Sequence, residues 1–307
     1  MKFGYFCNTT NWDHKPYTQL LDETKEITEY CDKNDWDSIW YTEHHFNHEG
    51  MESCTNPLMM GVDAAARTKQ IRIGQACNVI TFHNPIRLAE DIALLDQLSG
   101  GRVDVGIGRG IYGREAINMN KEADLKDQAK NFRLFDESLT IMKKAWTEKF
   151  FSHKGEFYNY PTPGFNWQHD MSPPNEEFLD TKTNEIKKIS IVPKPKQLPH
   201  PPIWQVVDGA RSIEWAAQNG LNTIMWIPTV KALKNRFEIY RDAKSKAENR
   251  DVPLGEGISL VRDMFVAETM EEAEKLASEH IINYMKWVCH WRGLGNHMDP
   301  GEELPET

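Results

Sequence analysis

The stretch Asp96-Gln-Leu-Ser-Gly-Gly-Arg-Val-Asp-Val-Gly-Ile-Gly-Arg-Gly-Ile-Tyr112 joins a helix to a strand and ends in a glycine-rich turn. The helical pattern ends at Ser99, and Gly100-Gly101 stop it because glycine accepts the left-handed conformation common after helices. An apolar strand, Arg102–Ile107, then runs into Gly108-Arg109-Gly110. Two glycines around an arginine let a ligand approach the backbone beside a fixed cation. The spacing predicts a ligand site here, although an ordinary turn with a solvated arginine fits it equally well.

The same turn, Gly108 to Gly113, also matches the dinucleotide pattern G-x-G-x-x-G. That pattern requires an immediate helix and then a strand with an acidic residue about 20 positions further on. The next apolar strand lies much farther away, beyond a long helical pattern. A nicotinamide site is therefore disfavoured.

Composition limits the classes of function. The 307 residues, 39% of them hydrophobic, suit one large α/β barrel or two ordinary domains. A formal charge of −10 disfavours nucleic-acid and anionic-membrane partners. The first residues suggest a strand rather than a signal peptide, and the five scattered cysteines have no metal-binding spacing. These features predict a cytoplasmic protein that binds neither membranes nor nucleic acid.

Strand and helix patterns alternate along the chain, which predicts a parallel sheet. The predicted strands cover Lys2–Cys7, Asp37–Thr42, Ile71–Ile80, Arg102–Ile107, Pro202–Val207, Thr223–Ile227 and Ile258–Ala267. The predicted helices cover Tyr17–Asn34, Pro57–Thr68, Pro85–Leu98, roughly Lys121–Phe150, Ala210–Asn219, Val230–Glu248 and Met270–Trp291. We therefore predict a single (β/α)8 TIM-barrel domain over residues 1–307 whose eighth unit is not evident. There are two explanations for the missing eighth unit. Either the chain was cut, or part of the excursion near residues 151–201 or a partner takes the place of this unit.

Residues 151–201 break this rhythm with several prolines and the polar run Asn175–Lys188. Gly155–Tyr160 suggests a hairpin, and loops this long are usually functional lids or disordered. We predict that this excursion lies over the C-terminal rim of the barrel. The tail Gly293–Thr307 has no strand pattern.

Candidate site residues lie at the strand ends, where TIM barrels carry their chemistry. Gly209 to Ser212 opens a helix, whose free N–H groups and positive dipole end favour a phosphate. Ser212 adds a hydroxyl, and Arg109 and Arg211 add cations. Alternatively, Asp208 or Ser212 simply caps its own helix.

His44 and His45 follow the second strand and have two interpretations. Either could act as a general base near neutral pH, or be satisfied by the backbone. His44 and His48 lie four residues apart beside Glu43, but this set is too small for a barrel metallohydrolase. No metal site is predicted.

Five segments together resemble the bacterial luciferase-like flavin-dependent monooxygenases, and above all luciferase alpha chains. They are Tyr41–Phe46, Asn84–Asp91, Asp96–Arg102, Gly106–Tyr112 and Glu214–Ala217, and the resemblance covers roughly residues 1–270. It implies a barrel monooxygenase that takes reduced FMN from a separate flavin reductase. Dioxygen adds to the flavin C4a carbon, and the resulting peroxide oxygenates a small organic substrate such as an aldehyde or a ketone.

The resemblance also implies roles for individual residues. His44 is the catalytic histidine, and Glu43 and His45 line the same site. At the flavin ring, the resemblance implies Ala76 and Cys77, which are joined by a cis peptide, and Trp226. Arg109 binds the phosphate. The remaining flavin-binding residues lie at or after the end of the fifth strand and are Val206, Asp208, Gly209 and Ser212. The helices Pro57–Thr68 and Pro85–Leu98 form a homo- or heterodimer interface in this family. Gly61 and Ala64–Ala66 would let a second helix approach, or would pack on the chain's own barrel.

Two departures and three alternatives remain. Gly108 replaces a reactive cysteine of luciferase, so light emission is not implied. The second phosphate arginine of luciferase aligns nearer Phe132, which leaves Arg133 and Arg211 as substitutes. The alternatives are a deazaflavin-dependent hydride-transfer enzyme of the same fold, a non-catalytic flavin-binding partner subunit, and the metallohydrolase.

Overall fold

The computed structural model describes residues 1–299 and 301–303, with most strands in one parallel sheet curved into a nearly closed barrel. The strands are β1 Gly4–Cys7, β2 Ser38–Tyr41, β3 Arg72–Gln75, β4 Asn78–Val79, β5 Val103–Gly108, β6 His153–Lys154, β7 Asn159–Tyr160, β8 Ile203–Val206, β9 Asn222–Trp226 and β10 Ile258–Val261. The helices are α1 Tyr17–Lys33, α2 Pro57–Arg67, α3 Pro85–Leu98, α4 Gly113–Met119, α5 Gln128–Thr147, α6 Ala210–Gln218, α7 Val230–Glu248 and α8 Met270–Arg292. Three 3-10 turns cover Ile80–Phe82, Lys121–Ala123 and Leu294–His297.

The barrel sheet has the order β1-β2-β3-β5-β8-β9-β10, with β4 beside β5, and all of these pairs are parallel. This confirms the predicted barrel. In the described part of the chain, no eighth strand joins β10 to β1. Instead, α8 reaches this side of the barrel, because its Tyr284 contacts Asn8 after β1 and Trp226 at the end of β9.

The third predicted strand, Ile71–Ile80, is interrupted in the structure. Ile73 pairs with Val103, thirty positions on, whereas Asn78 pairs with Ile107, twenty-nine positions on. The one-residue change of register is a bulge, which follows from the loss of apolar alternation at Gly74-Gln75. The Ala76–Cys77 peptide in this bulge is cis, as predicted.

The predicted long helix Lys121–Phe150 is wrong at its start. Asp127 caps α5 by accepting a hydrogen bond from Lys130 N at 2.9 Å, so the helix begins at Gln128. The separate helix α4 precedes it. The starts of α2 and α3 were predicted correctly, because Asn56 and Asn84 cap them ahead of a proline at the first helical position.

The excursion contains the short hairpin β6–β7, as predicted. Glu137 of α5 accepts hydrogen bonds from the backbone of this hairpin, and Tyr160 Oη accepts one from Asn84. The returning chain is bound at Asp96, near the end of α3, by the backbone of Lys196 and Gln197. These contacts lie along the outer helices of the barrel. That the excursion covers the C-terminal rim stays a prediction.

Candidate active site

A pocket that is open to solvent lies at the C-terminal ends of the barrel strands. Its wall includes side chains that follow β1 and β2, the cis-bonded Ala76, the turn after β5, and the last residues of β8, β9 and β10. The lining residues are Phe6, Asn8, Thr42, His44, Glu52, Ala76, Ile111, Tyr112, Val206, Ile224, Trp226, Val261, Tyr284 and Val288. The predicted residues His44, Ala76, Val206 and Trp226 are therefore brought together in one cavity.

His44 lies between two buried carboxylates. Its Nδ1 is 3.4 Å from Glu115 Oε1 and 3.6 Å from Glu52 Oε2. Glu115 starts the first turn of α4 and also accepts a 2.7 Å hydrogen bond from the His45 N–H. This leaves Nε2 as the nitrogen of His44 that can exchange a proton with the pocket.

The carboxylates control the protonation of His44. Burial alone lowers the pKa of an imidazole, but the negative charges of Glu52, Glu115 and, farther away, Glu43 outweigh it and raise the pKa of His44 above its usual value. The raised pKa favours the protonated form of His44, which suits this side chain to act as an acid.

Glu43 and His45 do not line the pocket, contrary to the prediction. Glu43 points behind the wall, where it accepts hydrogen bonds from Val79 N at 2.7 Å, His83 Nε2 at 2.8 Å and His45 Nε2 at 3.0 Å. Burial by itself raises the pKa of this carboxyl, but the hydrogen bonds outweigh burial and hold the pKa below its usual range. Glu43 thus ties the end of β2 to β4.

Cys77 also turns away from the pocket wall, toward β5. A Cβ atom on Gly108 would lie 2.3 Å from Cys77 Sγ, so the thiol fills the space that a side chain at position 108 would take. Glycine at 108 is therefore required by Cys77, and this explains the departure noted in the sequence.

A candidate anion site adjoins β5 and β8. Arg109 is partly buried with its guanidinium 5.7 Å from the Phe132 ring, and its hydrogen bonds, to Gln128 O and Asn131 Oδ1, are both long at 3.5 Å. Burial, and secondly the neighbouring Arg211, lower the pKa of Arg109. Across residues 1–299 and 301–303, no carboxylate lies within ion-pair distance of either guanidinium. Two uncompensated cations favour an anion between them.

The start of α6 faces this anion site. Gly209 is its N-cap, without a side-chain hydrogen bond, and Ser212 Oγ donates to Gly209 O at 2.8 Å. The alternative that Asp208 or Ser212 caps the helix is therefore wrong, and its first N–H groups remain available to a ligand. Arg133 and Arg211, the two substitutes suggested by the sequence, are both exposed, but only Arg133 pairs with a carboxylate among the described residues, Glu156 at 2.8 Å.

Sequence reasoning missed several residues of the pocket. Glu52 lies in a loop without a periodic pattern, and Tyr284 belongs to a distant helix, so no local signal marks either of them. Glu115 offered a weak signal, since it opens a helix just after the Gly108–Gly110 turn. His48, named in the metallohydrolase alternative, is exposed, and no group of three His, Cys, Asp or Glu side chains among the described residues is arranged so that it could hold a metal ion.

Comparison with known proteins gives the family. The sequence model described as luciferase-like monooxygenase matches residues 1–304. The oxygenase component of flavin-dependent trigonelline monooxygenase from Acinetobacter baylyi is 29% identical over 286 residues, 92% of this chain and 70% of that protein. The alkanal monooxygenase alpha chain of Photorhabdus laumondii is 28% identical over 79% of this chain, which spans 58% of its length.

Solved structures agree on the fold. The oxygenating constituent of 3,6-diketocamphane monooxygenase from Pseudomonas putida, solved with FMN, has a TM-score of 0.77 at 23% identity, covering 97% of this chain and 77% of that one. An F420-dependent secondary alcohol dehydrogenase has a TM-score of 0.57 at 18% identity, covering 84% and 67%. From the family match along nearly its whole length, the chain belongs to the luciferase-like monooxygenases, a family of oxidoreductase enzymes.

Proposed function

We propose that this protein is the oxygenase component of a two-component monooxygenase. It takes reduced FMN from a separate flavin reductase and uses dioxygen to oxygenate a small organic substrate, such as an aldehyde or a ketone. The relatives named as a flavin-dependent oxygenase component and as alkanal monooxygenases support the reaction class. This chain spans only 58% of the alkanal monooxygenase alpha chain. Light emission is not part of the proposal.

One observation carries the proposal: a pocket with a protonatable histidine adjoins a site with two unpaired arginines. Ala76, Val206 and Trp226 supply a wall with little polar surface, which suits a flat aromatic ring. Arg109, Arg211 and the start of α6 supply the charge and N–H groups that suit a phosphate. The residues present therefore fit FMN, with its ring in the pocket and its phosphate at α6.

The flavin, when bound and reduced, supplies the electrons that activate dioxygen. The chain's own residues bind the flavin and handle protons. His44 Nε2 donates or recovers a proton at the reacting oxygen, while Glu52 and Glu115 hold the ring through Nδ1 and favour its charged form. Glu43 keeps the wall behind His44 in place through β4.

Replacing Arg109 by alanine tests the phosphate assignment. We expect Arg109→Ala to weaken FMN binding by about 1.5–3 kcal/mol, the usual contribution of a hydrogen bond to a charged group. Titration of the protein with FMN, followed by flavin fluorescence, measures the loss. Arg133→Ala is the matched control, because Arg133 is exposed and paired with Glu156. Equal FMN affinity in wild type and Arg109→Ala would remove the assignment.

A deazaflavin-dependent hydride-transfer enzyme is a second candidate, because the F420-dependent dehydrogenase shares the fold. A reduced-FMN oxygen-uptake assay separates the two, since hydride transfer to a deazaflavin consumes no dioxygen. A non-catalytic partner subunit is disfavoured, because His44 and its two carboxylates are assembled in the pocket.

We also propose a homo- or heterodimer formed through α2 and α3. Gly61 and Ala64 do not supply this surface, since Gly61 packs against Leu95 of α3 and Ala64 is buried. The exposed apolar residues of the two helices are Met59, Val62, Leu94 and Leu98. Covering them is favourable, and we expect a dimer at micromolar concentration by light scattering. A monomer under those conditions rules this interface out.

A cytoplasmic location is a further proposal. No helix in the described residues is long and apolar enough to cross a membrane. Among the described residues, the five cysteines form no disulfide, and burial raises the pKa of the Cys7 and Cys31 thiols to about 11. Cysteines without disulfides are typical of a reducing compartment. Cell fractionation tests the location, and recovery outside the cytoplasm would contradict it.

A further inference from the structure

Among the side chains that the structure describes, carboxylates outnumber cations around His44 in the pocket. Glu52 and Glu115 are 4% and 1% exposed, and both converge on Nδ1 of His44. Glu43 is already balanced by His45, His83 and Val79 N, and Arg114 places its guanidinium on Glu49 at 2.9 Å. One imidazolium cannot neutralise two buried carboxylates, and an unpaired buried charge is costly. A further positive charge would therefore be stabilised here.

Three buried oxygen atoms of the pocket have no hydrogen-bond partner among the described residues. Two are pure acceptors, Glu52 Oε2 and Asn8 Oδ1, and the third is the Thr42 hydroxyl, which can also donate. The His44 Nδ1 atom, at 3.6 Å from Glu52 Oε2, is too distant for a hydrogen bond. Buried acceptors are rarely left unsatisfied in native proteins. Glu52 Oε2 and Asn8 Oδ1 therefore offer two acceptors to a ligand that carries N–H donors.

The two acceptors lie close together because one hydroxyl joins their residues. Tyr284 Oη accepts from Asn8 Nδ2 at 3.0 Å and donates to Glu52 Oε1 at 3.2 Å. The adjoining walls are aromatic, formed by Trp226 and Tyr112 together with Tyr284. Aromatic faces attract cations as well as apolar groups.

We propose that the pocket binds an organic ammonium ion, whose positively charged N–H group is held by Glu52 and Asn8 between aromatic walls. The inference rests on the proposed function in taking this ligand to be the substrate. It narrows the substrate class to small cationic nitrogen compounds that place a separate, oxidisable carbon or heteroatom toward His44. Glu52 is then the residue that selects for charge.

Two probes of similar shape test the proposal without reduced flavin. Benzylammonium and benzyl alcohol both carry a donor on the same ring, but the first alone is charged at pH ~7. In calorimetric titrations, we expect the wild-type protein to bind benzylammonium about 10- to 100-fold tighter than benzyl alcohol. Glu52→Gln should lose that preference and bind benzyl alcohol as the wild type does, which also shows that the pocket is intact. Glu26→Gln, on the exposed face of α1, is the control and should retain the preference.

Equal binding of the two probes by the wild type would overturn the proposal, and this comparison does not depend on the folding of any variant. A preference for benzylammonium that persists in Glu52→Gln would overturn the role of Glu52. Because no turnover is measured, a failure of the proposed monooxygenase reaction would leave the binding result unaffected. A failure of the ligand proposal can therefore be told apart from a failure of the proposed function.

Discussion

Substituting His44 by alanine is expected to reduce productive oxygenation by about 10²- to 10⁴-fold, the usual contribution of a general acid or base. FMN binding should persist, because His44 lies in the proposed ring pocket, whereas the proposed phosphate ligands Arg109 and Arg211 follow β5 and begin α6. The measurement is product formed per dioxygen consumed with reduced FMN. Oxygen uptake continues in the variant, but it becomes uncoupled from product.

His48→Ala is the control for this prediction, since His48 belongs to the same loop and its side chain is 83% exposed. The acid role also predicts a pH dependence, in which product formation falls as pH rises through the raised pKa of His44. The pairing of protonated His44 with Glu52 and Glu115 also stabilises the fold. This contribution is fully present below pH ~6.5 and is lost as the pH rises through the raised pKa of His44. Wild-type coupling in His44→Ala would remove His44 from the chemistry.

Gly106→Ala is expected to destabilise the protein by about 3 kcal/mol or more, at the upper end for overpacked cores. A Cβ atom at this position would lie 1.5 Å from the carbonyl oxygen of Gln75. That oxygen belongs to the backbone of the bulge between β3 and β4, so no side-chain rotation can relieve the collision. Urea unfolding measures the loss, and FMN binding should fail with it because the bulge carries Ala76.

Gly113→Ala is the matched control, because nothing lies within 4 Å of a Cβ atom there and alanine favours a helix. It should leave stability unchanged or slightly raised. A typical substitution lowers the free energy of unfolding by about 1 kcal/mol. If Gly106→Ala lowered it by no more than that, the close contact of β5 with the bulge would be wrong.

Much of the fold could be predicted, because its signals are local. Asn56-Pro57 and Asn84-Pro85 mark helix starts through a side-chain cap and a missing N–H, and both starts are correct. Asp127 gives the same kind of signal, but the apolar period continues past it, so α5 was predicted too long. The position of α8 could not be predicted, since it depends on contacts between Tyr284 and residues more than 200 positions away.

The candidate site was predictable where the chain places chemistry at strand ends. His44, Ala76, Val206 and Trp226 follow directly from the strand pattern and the family resemblance, and all line the pocket. The direction in which a side chain points is harder to predict from sequence. Glu43 and His45 flank His44, yet successive residues of an extended chain point to opposite faces, and both turn behind the wall. Glu52 reaches His44 from a loop and Glu115 reaches it from the first turn of α4, so only tertiary structure reveals them.

The most direct test of the central claim uses labelled dioxygen. The protein is supplied with FMN reduced by a separate flavin reductase, ¹⁸O₂, and a panel of small aldehydes, ketones, sulfides and organic amines. The account predicts a product that carries a single ¹⁸O atom from dioxygen, formed with reduced FMN and lost in His44→Ala. A product that is oxidised without ¹⁸O, formed with a deazaflavin and not with FMN, would contradict it.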